Sequence, residues 1–215
     1  MGGGFFQVAT AGRRAARILA RMRQNELFAS TEASVSPALP AGLTYRPQFL
    51  SVAEEAELLA LLSNLPFAAA QYKEWHARRR VVSFGGRYDF THHVLGAAPP
   101  VPPYLEPLRA AIAEWTGLAA RALSDALIAE YAPGTPLGWH RDVPEFEEVV
   151  GVSLLGHARL RLRPWPPQPG QRAVHVLELA PRSVYRLRGP ARWNWQHAVS
   201  PTRELRYSIT FRTRR

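Results

Sequence analysis

His140-Arg141-Asp142 places an imidazole and a carboxylate two residues apart, so in an extended chain both project to the same side. A third ligand from a distant strand would complete a two-histidine, one-carboxylate set. Such a set suits iron(II) and leaves the opposite face of the metal open to other ligands. His197, 55 residues after Asp142, is the leading candidate for that third ligand, with His157 and His175 the others in this half of the chain. His175 lies in Val-His-Val-Leu-Glu, where the alternation predicts an outward-facing strand position. The chain has no cysteine, so any metal must be held by histidine and carboxylate.

A second candidate feature is Arg206-Tyr-Ser-Ile-Thr-Phe-Arg212 near the C-terminus. Period two puts Arg206, Ser208, Thr210 and Arg212 on one face and Tyr207, Ile209 and Phe211 on the other. If the apolar face packs outward against helices, the polar face lines a barrel interior. Arginines inside a barrel are costly unless they meet anions, and a dicarboxylate would supply them, because guanidinium forks bind carboxylates through two parallel bonds. An edge strand with a solvated face is the competing reading.

The elements that must position these groups come in two blocks. Ser51 and Glu54 form a capping box ahead of Glu55, Leu58, Leu59, Leu61 and Leu62, which predicts an amphipathic helix. A second helix is predicted over 104–115, with Leu105, Leu108, Ile112 and Trp115 at helical spacing and Gly117 past its end. Residues 78–90 read as two short strands around a Gly85-Gly86 turn, with arginines interleaved among aromatics, a pattern that fits equally a surface for phosphates and bases or a hairpin with a solvated charged face. From residue 125 onward the pattern is short strands at 126–131, 149–155, 158–163, 174–179, 183–187 and 206–213, separated by Pro or Gly turns. Arg159, Arg161 and Arg163 alternate with Leu160 and Leu162, as a strand with one wet face requires. Many short strands preceded by helices indicate an α+β chain with a sandwich or barrel core.

With 47% hydrophobic and 20% charged residues, the composition is that of a globular and not a disordered chain. No apolar run approaches the ~20 residues that span a bilayer, which excludes a helical membrane protein and leaves a cytoplasmic monomer as the expectation. The net charge of +10 favours a polyanionic partner, although Lys73 is the single lysine and a codon bias toward arginine would give the same balance. Residues 1–23 hold five arginines and no acid, and a Ser, Ala and Pro rich stretch follows; residues 1–40 are read as a flexible leader and linker, with Met22 an alternative start.

Taken in order, Ala129-Glu-Tyr131-Ala-Pro-Gly134, His140-Arg-Asp142, Val150-Gly-Val-Ser-Leu154, His197 and the segment 206–212 resemble the AlkB family of iron(II)- and 2-oxoglutarate-dependent dioxygenases. The resemblance implies a double-stranded β-helix, or jelly-roll, core over about 125–215, N-terminal helices, and a substrate lid over about 68–103, within a domain spanning 41–215. It implies that His140, Asp142 and His197 ligate iron and that Arg206 pairs with 2-oxoglutarate, assisted by Tyr131, Ser208 and Arg212. Its implied activity is oxidative demethylation of N-alkylated bases in DNA or RNA, using O2 and releasing formaldehyde. Arg80, Phe84, Arg87 and Tyr88 fall where the lid would meet the substrate. Family members acting on nucleic acid often carry an acid two residues beyond the metal aspartate. Here that acid, Glu145, is one place further on, behind Pro144. Ala129 and Ser208 also depart, standing where the family often has asparagine. The same oxygenase chemistry on a protein side chain or small molecule is the second reading, and a non-enzymatic, basic nucleic-acid-binding barrel the third.

Overall fold

Two antiparallel sheets face each other in the computed structural model, which describes residues 39–72, 75–169 and 175–215. The expected leader lies almost wholly outside the described residues, and 39–215 form one compact unit. The strands are β1 (Leu43–Arg46), β2 (Ala68–Tyr72), β3 (Trp75–Phe84), β4 (Gly86–Asp89), β5 (Val94–Ala97), β6 (Leu123–Tyr131), β7 (Leu137–His140), β8 (Phe146–Leu154), β9 (Ala158–Pro164), β10 (His175–Leu179), β11 (Ser183–Leu187), β12 (Trp195–Val199) and β13 (Arg206–Arg214). The large sheet runs β1-β11-β8-β13-β6-β3-β2 and the small one β10-β9-β12-β7, while β4 and β5 pair only with each other.

Two of the helices cover the outer face of the large sheet. Helix α1 (Val52–Leu62) starts at the expected capping box: the Glu54 amide donates to Ser51 Oγ at 3.2 Å, and the Ser51 amide donates to Glu54 Oε2 at 2.8 Å. It buries Leu58 and Leu62 but leaves Leu61 exposed. Glu55 is buried instead, where it accepts the Leu155 amide and an Arg182 N–H and so holds two left-handed turn residues in place. Helix α2 (Glu106–Thr116) follows a 3-10 turn and ends at Gly117, whose φ of +72° supplies the left-handed cap. A five-residue helix, α3 (Gly189–Trp193), precedes β12.

Two cores result from this layering. Leu58, Leu62, Leu105, Leu108 and Ile112 pack on Ile128, Val150, Val152, Tyr207, Ile209 and Phe211, which are the outward residues of the large sheet. Between the sheets, Val149, Tyr185 and Leu187 meet Leu160, Leu162, Leu177, Leu179 and Val199. β13 therefore divides as its alternation predicts: the apolar face goes to the helices, and Arg206, Ser208 and Thr210 are buried facing the small sheet.

Two expectations are corrected. β3 and β4 do not form a hairpin; the chain turns at Gly85 (φ +79°) out of the large sheet and into the β4/β5 ribbon. Gly85 is required there because a Cβ would lie 2.1 Å from the Ser124 carbonyl oxygen. His175 does not face outward. It sits opposite Leu162 and shares its face with buried Leu177 and Leu179, leaving Val176 and Glu178 outside. The sequence window misleads because the strand begins at His175 itself, so too little alternation precedes it to fix the phase.

Candidate metal centre and cosubstrate pocket

The small sheet positions two histidines in register. His140 ends β7 and lies directly across from His197 on β12, their ring centroids 4.2 Å apart. The β12/β7 ladder shifts register just past this pair. Asp142 follows the end of β7. One ligand atom from each of His140, Asp142 and His197 lies within 4.8 Å of the others.

Each ligand is held by a second group. His140 Nδ1 donates to the Gly138 carbonyl at 2.9 Å, which fixes the proton on Nδ1 and leaves Nε2 as a free donor atom. Asp142 Oδ1 accepts Arg212 Nε at 2.9 Å. Its other oxygen, Oδ2, is buried with no hydrogen-bond partner and lies 3.5 Å from His197 Nε2. The loop carrying Asp142 is stapled by Arg192, 2% exposed, whose Nη2 donates to the carbonyls of Asp142, Val143 and Phe146 at 3.1, 2.7 and 2.8 Å.

The electrostatics leave all three ligands deprotonated at neutral pH. Burial, reinforced by His140, pushes His197 down to about 3, and burial lowers His140 as well. For Asp142 burial acts the other way, but Arg212 and the two histidines outweigh it and hold the carboxyl well below its usual range. Two neutral imidazoles and a carboxylate with an orphaned buried oxygen are the donor set a divalent metal requires.

Beside this set the large sheet provides a cationic pocket. Arg206 is 2% exposed, its Nε donates to Ser153 Oγ at 2.9 Å and its guanidinium lies 4.9 Å from the centre of the Tyr131 ring. Its Nη1 is buried without a partner, and it makes no ion pair among the described residues. A buried guanidinium with an unused N–H fits a bound carboxylate. Ser208 is buried on the same face of β13, and Arg212 continues the row to the metal set. The Tyr131 turn is tied down by Thr202, whose hydroxyl donates to the Ala132 carbonyl and whose own carbonyl accepts the Gly134 amide.

The expected substrate residues divide. Arg80 sits opposite Glu130 and forms a two-pronged pair with it at 2.8 and 2.9 Å, on the helix side of the sheet. Phe84 shares that side and is buried in the helix-facing core. Neither faces the metal set. Arg87 is exposed and Tyr88 half-buried on β4, and the Tyr88 and Phe90 rings meet edge to face at 5.0 Å. Glu145 is half-buried three residues past Asp142, with Oε2 buried and unpartnered. It lines an open cleft of about 470 Å³ with Leu95, Pro144, Arg214 and Arg215.

Three contributors escaped the sequence reading. Arg79, next to Arg80, turns to the opposite side, its charge reaches His140, and its Nε is buried without a partner. Strand alternation alone distinguishes Arg79 from Arg80 once the pairing of β3 with β6 is known. Tyr185 on β11 is buried near Arg206, and burial pushes its phenol up to about 12, so it remains an O–H donor. Gly151 makes room for it, since a Cβ there would lie 2.4 Å from the Tyr185 ring. Arg192 had no local signal, because its partners are backbone carbonyls more than forty residues away.

An antiparallel sandwich with two histidines on the facing side of one sheet, an aspartate in the loop just after one of them, and a buried arginine on the opposite sheet has the donor set of a mononuclear iron site beside a group suited to an anion. A model of the 2OG-Fe(II) oxygenase superfamily matches residues 42–212, and the chain belongs to that superfamily, whose members work with iron(II), 2-oxoglutarate and O2. The uncharacterized protein L905 of Acanthamoeba polyphaga mimivirus is 29% identical over 99 residues, covering 40% of this chain and 46% of that protein. The chain thus matches about half the length of this relative. Among solved structures, that of OsALKBH1 superposes with a TM-score of 0.62 at 18% identity, covering 82% of this chain and 98% of that one. A Pseudomonas putida prolyl-4-hydroxylase gives 0.56 at 15%, covering 81% and 93%. At these identities the two structures show a shared fold. None of the described helices is long and apolar enough to cross a membrane.

Proposed function

We propose that this chain is an iron(II)- and 2-oxoglutarate-dependent demethylase of N-alkylated bases in DNA or RNA. The observation that carries the reading is the cleft beyond Asp142, which half-buried Glu145 lines together with Arg214 and Arg215. A base methylated beside its exocyclic amine offers a hydrogen-bond donor to the Glu145 carboxylate, and its phosphate meets Arg215, since Arg214 is already paired with Asp125 at 2.9 and 3.0 Å. Tyr88, close enough for Glu145 to act on its phenol, and its neighbour Phe90 offer rings for stacking at the edge of the cleft. In this reading the ribbon of β4 and β5 is part of the substrate lid, and Arg79 is its cation on the metal-facing side.

His140, Asp142 and His197 would hold the iron, while Arg206, with Tyr131, Ser208 and Tyr185 around it, would hold 2-oxoglutarate. When bound, the pair would supply, with O2 as the oxidant, hydroxylation of a C–H bond of the methyl group, one oxygen atom going to the methyl carbon and the other to succinate as 2-oxoglutarate loses carbon dioxide, and the hydroxymethyl base would then release formaldehyde. Arg212 keeps Asp142 ionised and aimed, and Arg192 keeps its loop from drifting. A base within a duplex would have to be extruded to reach the cleft.

Oligonucleotides carrying 1-methyladenine or 3-methylcytosine, single and double stranded, should lose one methyl group with stoichiometric formaldehyde when iron and 2-oxoglutarate are present. If 2-oxoglutarate is turned over on a prolyl peptide or a small molecule and no oligonucleotide loses its methyl group, the substrate belongs to another class.

A further inference from the structure

The outer face of the small sheet takes no part in the metal site, yet its side chains are not those of an ordinary wet surface. β9 turns Leu160 and Leu162 inward and presents Arg159, Arg161 and Arg163 outward. On β7, Trp139 precedes His140 and so points away from the metal set. Arg161 and Arg163 both lie over the Trp139 ring, their guanidinium carbons 5.0 and 4.5 Å from its centre. Between these strands β12 places Ala198 opposite Arg161 and Gln196 opposite Arg163. Ala198 adds no charge to this face, and Gln196 Oε1 accepts Arg163 Nε at 2.8 Å.

The charge balance of this face is one-sided. Arg159 pairs with Glu178 at 2.8 Å, but neither Arg161 nor Arg163 makes an ion pair among the described residues. Past the end of β7, between the two metal ligands in sequence, exposed Arg141 lies 4.9 Å from the centre of exposed Trp165. The face thus carries arginines stacked on indoles in a row that starts beside the metal site. Two cations converging on one ring repel each other unless an anion covers them. Alternate residues of a strand stand about 6.7 Å apart, which suits neighbouring phosphates of an extended chain.

We infer that this face is a docking surface for the backbone of single-stranded nucleic acid, holding the flank of a strand whose modified base occupies the Glu145 cleft. This rests on the nucleic-acid reading given above. Guanidinium groups held over indole rings, with no carboxylate among the described residues paired to Arg161 or Arg163, have N–H groups to offer phosphate, and the exposed Trp165 adds a stacking platform that a duplex could not use.

The test is fluorescence anisotropy of a long, unmodified single-stranded oligonucleotide across a salt series, with the wild type, R161Q/R163Q and R161K/R163K. Removing both guanidinium groups should weaken binding about tenfold at low salt and make the salt slope shallower by about 1.4, two phosphates at about 0.7 each. The lysine pair, which keeps the charge, should retain most of the slope. Demethylation of a methylated trinucleotide, too short to reach this face, should be unchanged in all three. Binding and slope equal to wild type in R161Q/R163Q, with wild-type demethylation intact, would overturn the docking surface alone. A wild type that binds no oligonucleotide would overturn it together with the nucleic-acid reading. Loss of trinucleotide turnover in the glutamine pair would assign these arginines to folding and overturn the proposal equally.

Discussion

Arg206 is the side chain whose surroundings make the strongest demand on a ligand. It is buried with an unused N–H and no carboxylate partner among the described residues, so its charge is uncompensated until an anion arrives. Arg206→Gln should therefore raise the Kd for 2-oxoglutarate by about 30-fold or more, the ~2 kcal/mol lower end for a buried charged pair losing one partner. The unliganded protein should melt no lower than wild type, because a desolvated charge is removed. Titration calorimetry with 2-oxoglutarate in the presence of manganese(II) checks the first point and a melting curve the second. Unchanged cosubstrate affinity would take Arg206 out of the pocket. The ligand imidazoles make a separate demand on pH. His197 is buried neutral and titrates near 3 in the folded chain against about 6.5 when unfolded. Below 6.5 the unfolded chain takes up a proton that the folded one refuses, so metal-free stability should fall between about pH 6.5 and 3, by up to about 1.4 kcal/mol per pH unit for this one group. His140, shifted in the same direction, steepens the loss, and the depressed Asp142 extends it at the acid end. Denaturant midpoints across that range in His197→Gln should show a visibly shallower dependence, and an unaltered one would mean that His197 is not buried neutral.

At the scale of elements, much of the centre was legible because it lies within short stretches of chain. The His140 and Asp142 spacing, the alternation of β13 and the capping box of α1 are local patterns, and each dictates geometry over a few residues. What was illegible depends on pairing. Whether Arg79 or Arg80 faces the metal set follows from the β3/β6 register, and the inward turn of His175 from the β9/β10 register. Arg192 reads as one more arginine in an arginine-rich chain until the fold brings three carbonyls to its Nη2. That staple yields a prediction of its own. Arg192→Met keeps the bulk on α3 but frees the loop after β7, so iron(II) or manganese(II) affinity should fall about 10- to 100-fold, the range seen when groups that orient metal ligands are removed. Far-UV circular dichroism should stay native. Affinity within twofold of wild type would show that the loop is rigid without it. Gly151→Ala acts on the other sheet: its Cβ must displace the Tyr185 ring, so the Kd for 2-oxoglutarate should rise while metal affinity holds. The same two titrations, run side by side, separate the effects.

For the whole molecule, the placement of the two groups on opposite sheets has a thermodynamic consequence. His140 and His197 belong to the small sheet, Arg206 and Arg212 to β13 of the large one, and the Arg212–Asp142 ion pair at 2.9 Å joins them. A metal alone engages one layer and a dicarboxylate alone engages mainly the other, but a dicarboxylate that also ligates the metal closes the sandwich across its core. Ligands that bind only the folded state stabilise it by RT ln(1 + [L]/Kd), about 2.7 kcal/mol at a hundredfold excess over Kd. Each kilocalorie raises the midpoint of a unit this size by about 2–4 °C. Manganese(II) and 2-oxoglutarate together should therefore raise Tm by more than the sum of their separate shifts. Asp142→Asn should abolish the excess by breaking both the metal set and the link to Arg212, and Arg206→Gln should abolish it by loosening the dicarboxylate alone. Strictly additive shifts in the wild type would mean that the two ligands do not touch, and the reading of Arg206 as the anchor of a metal-bound cosubstrate would then fail.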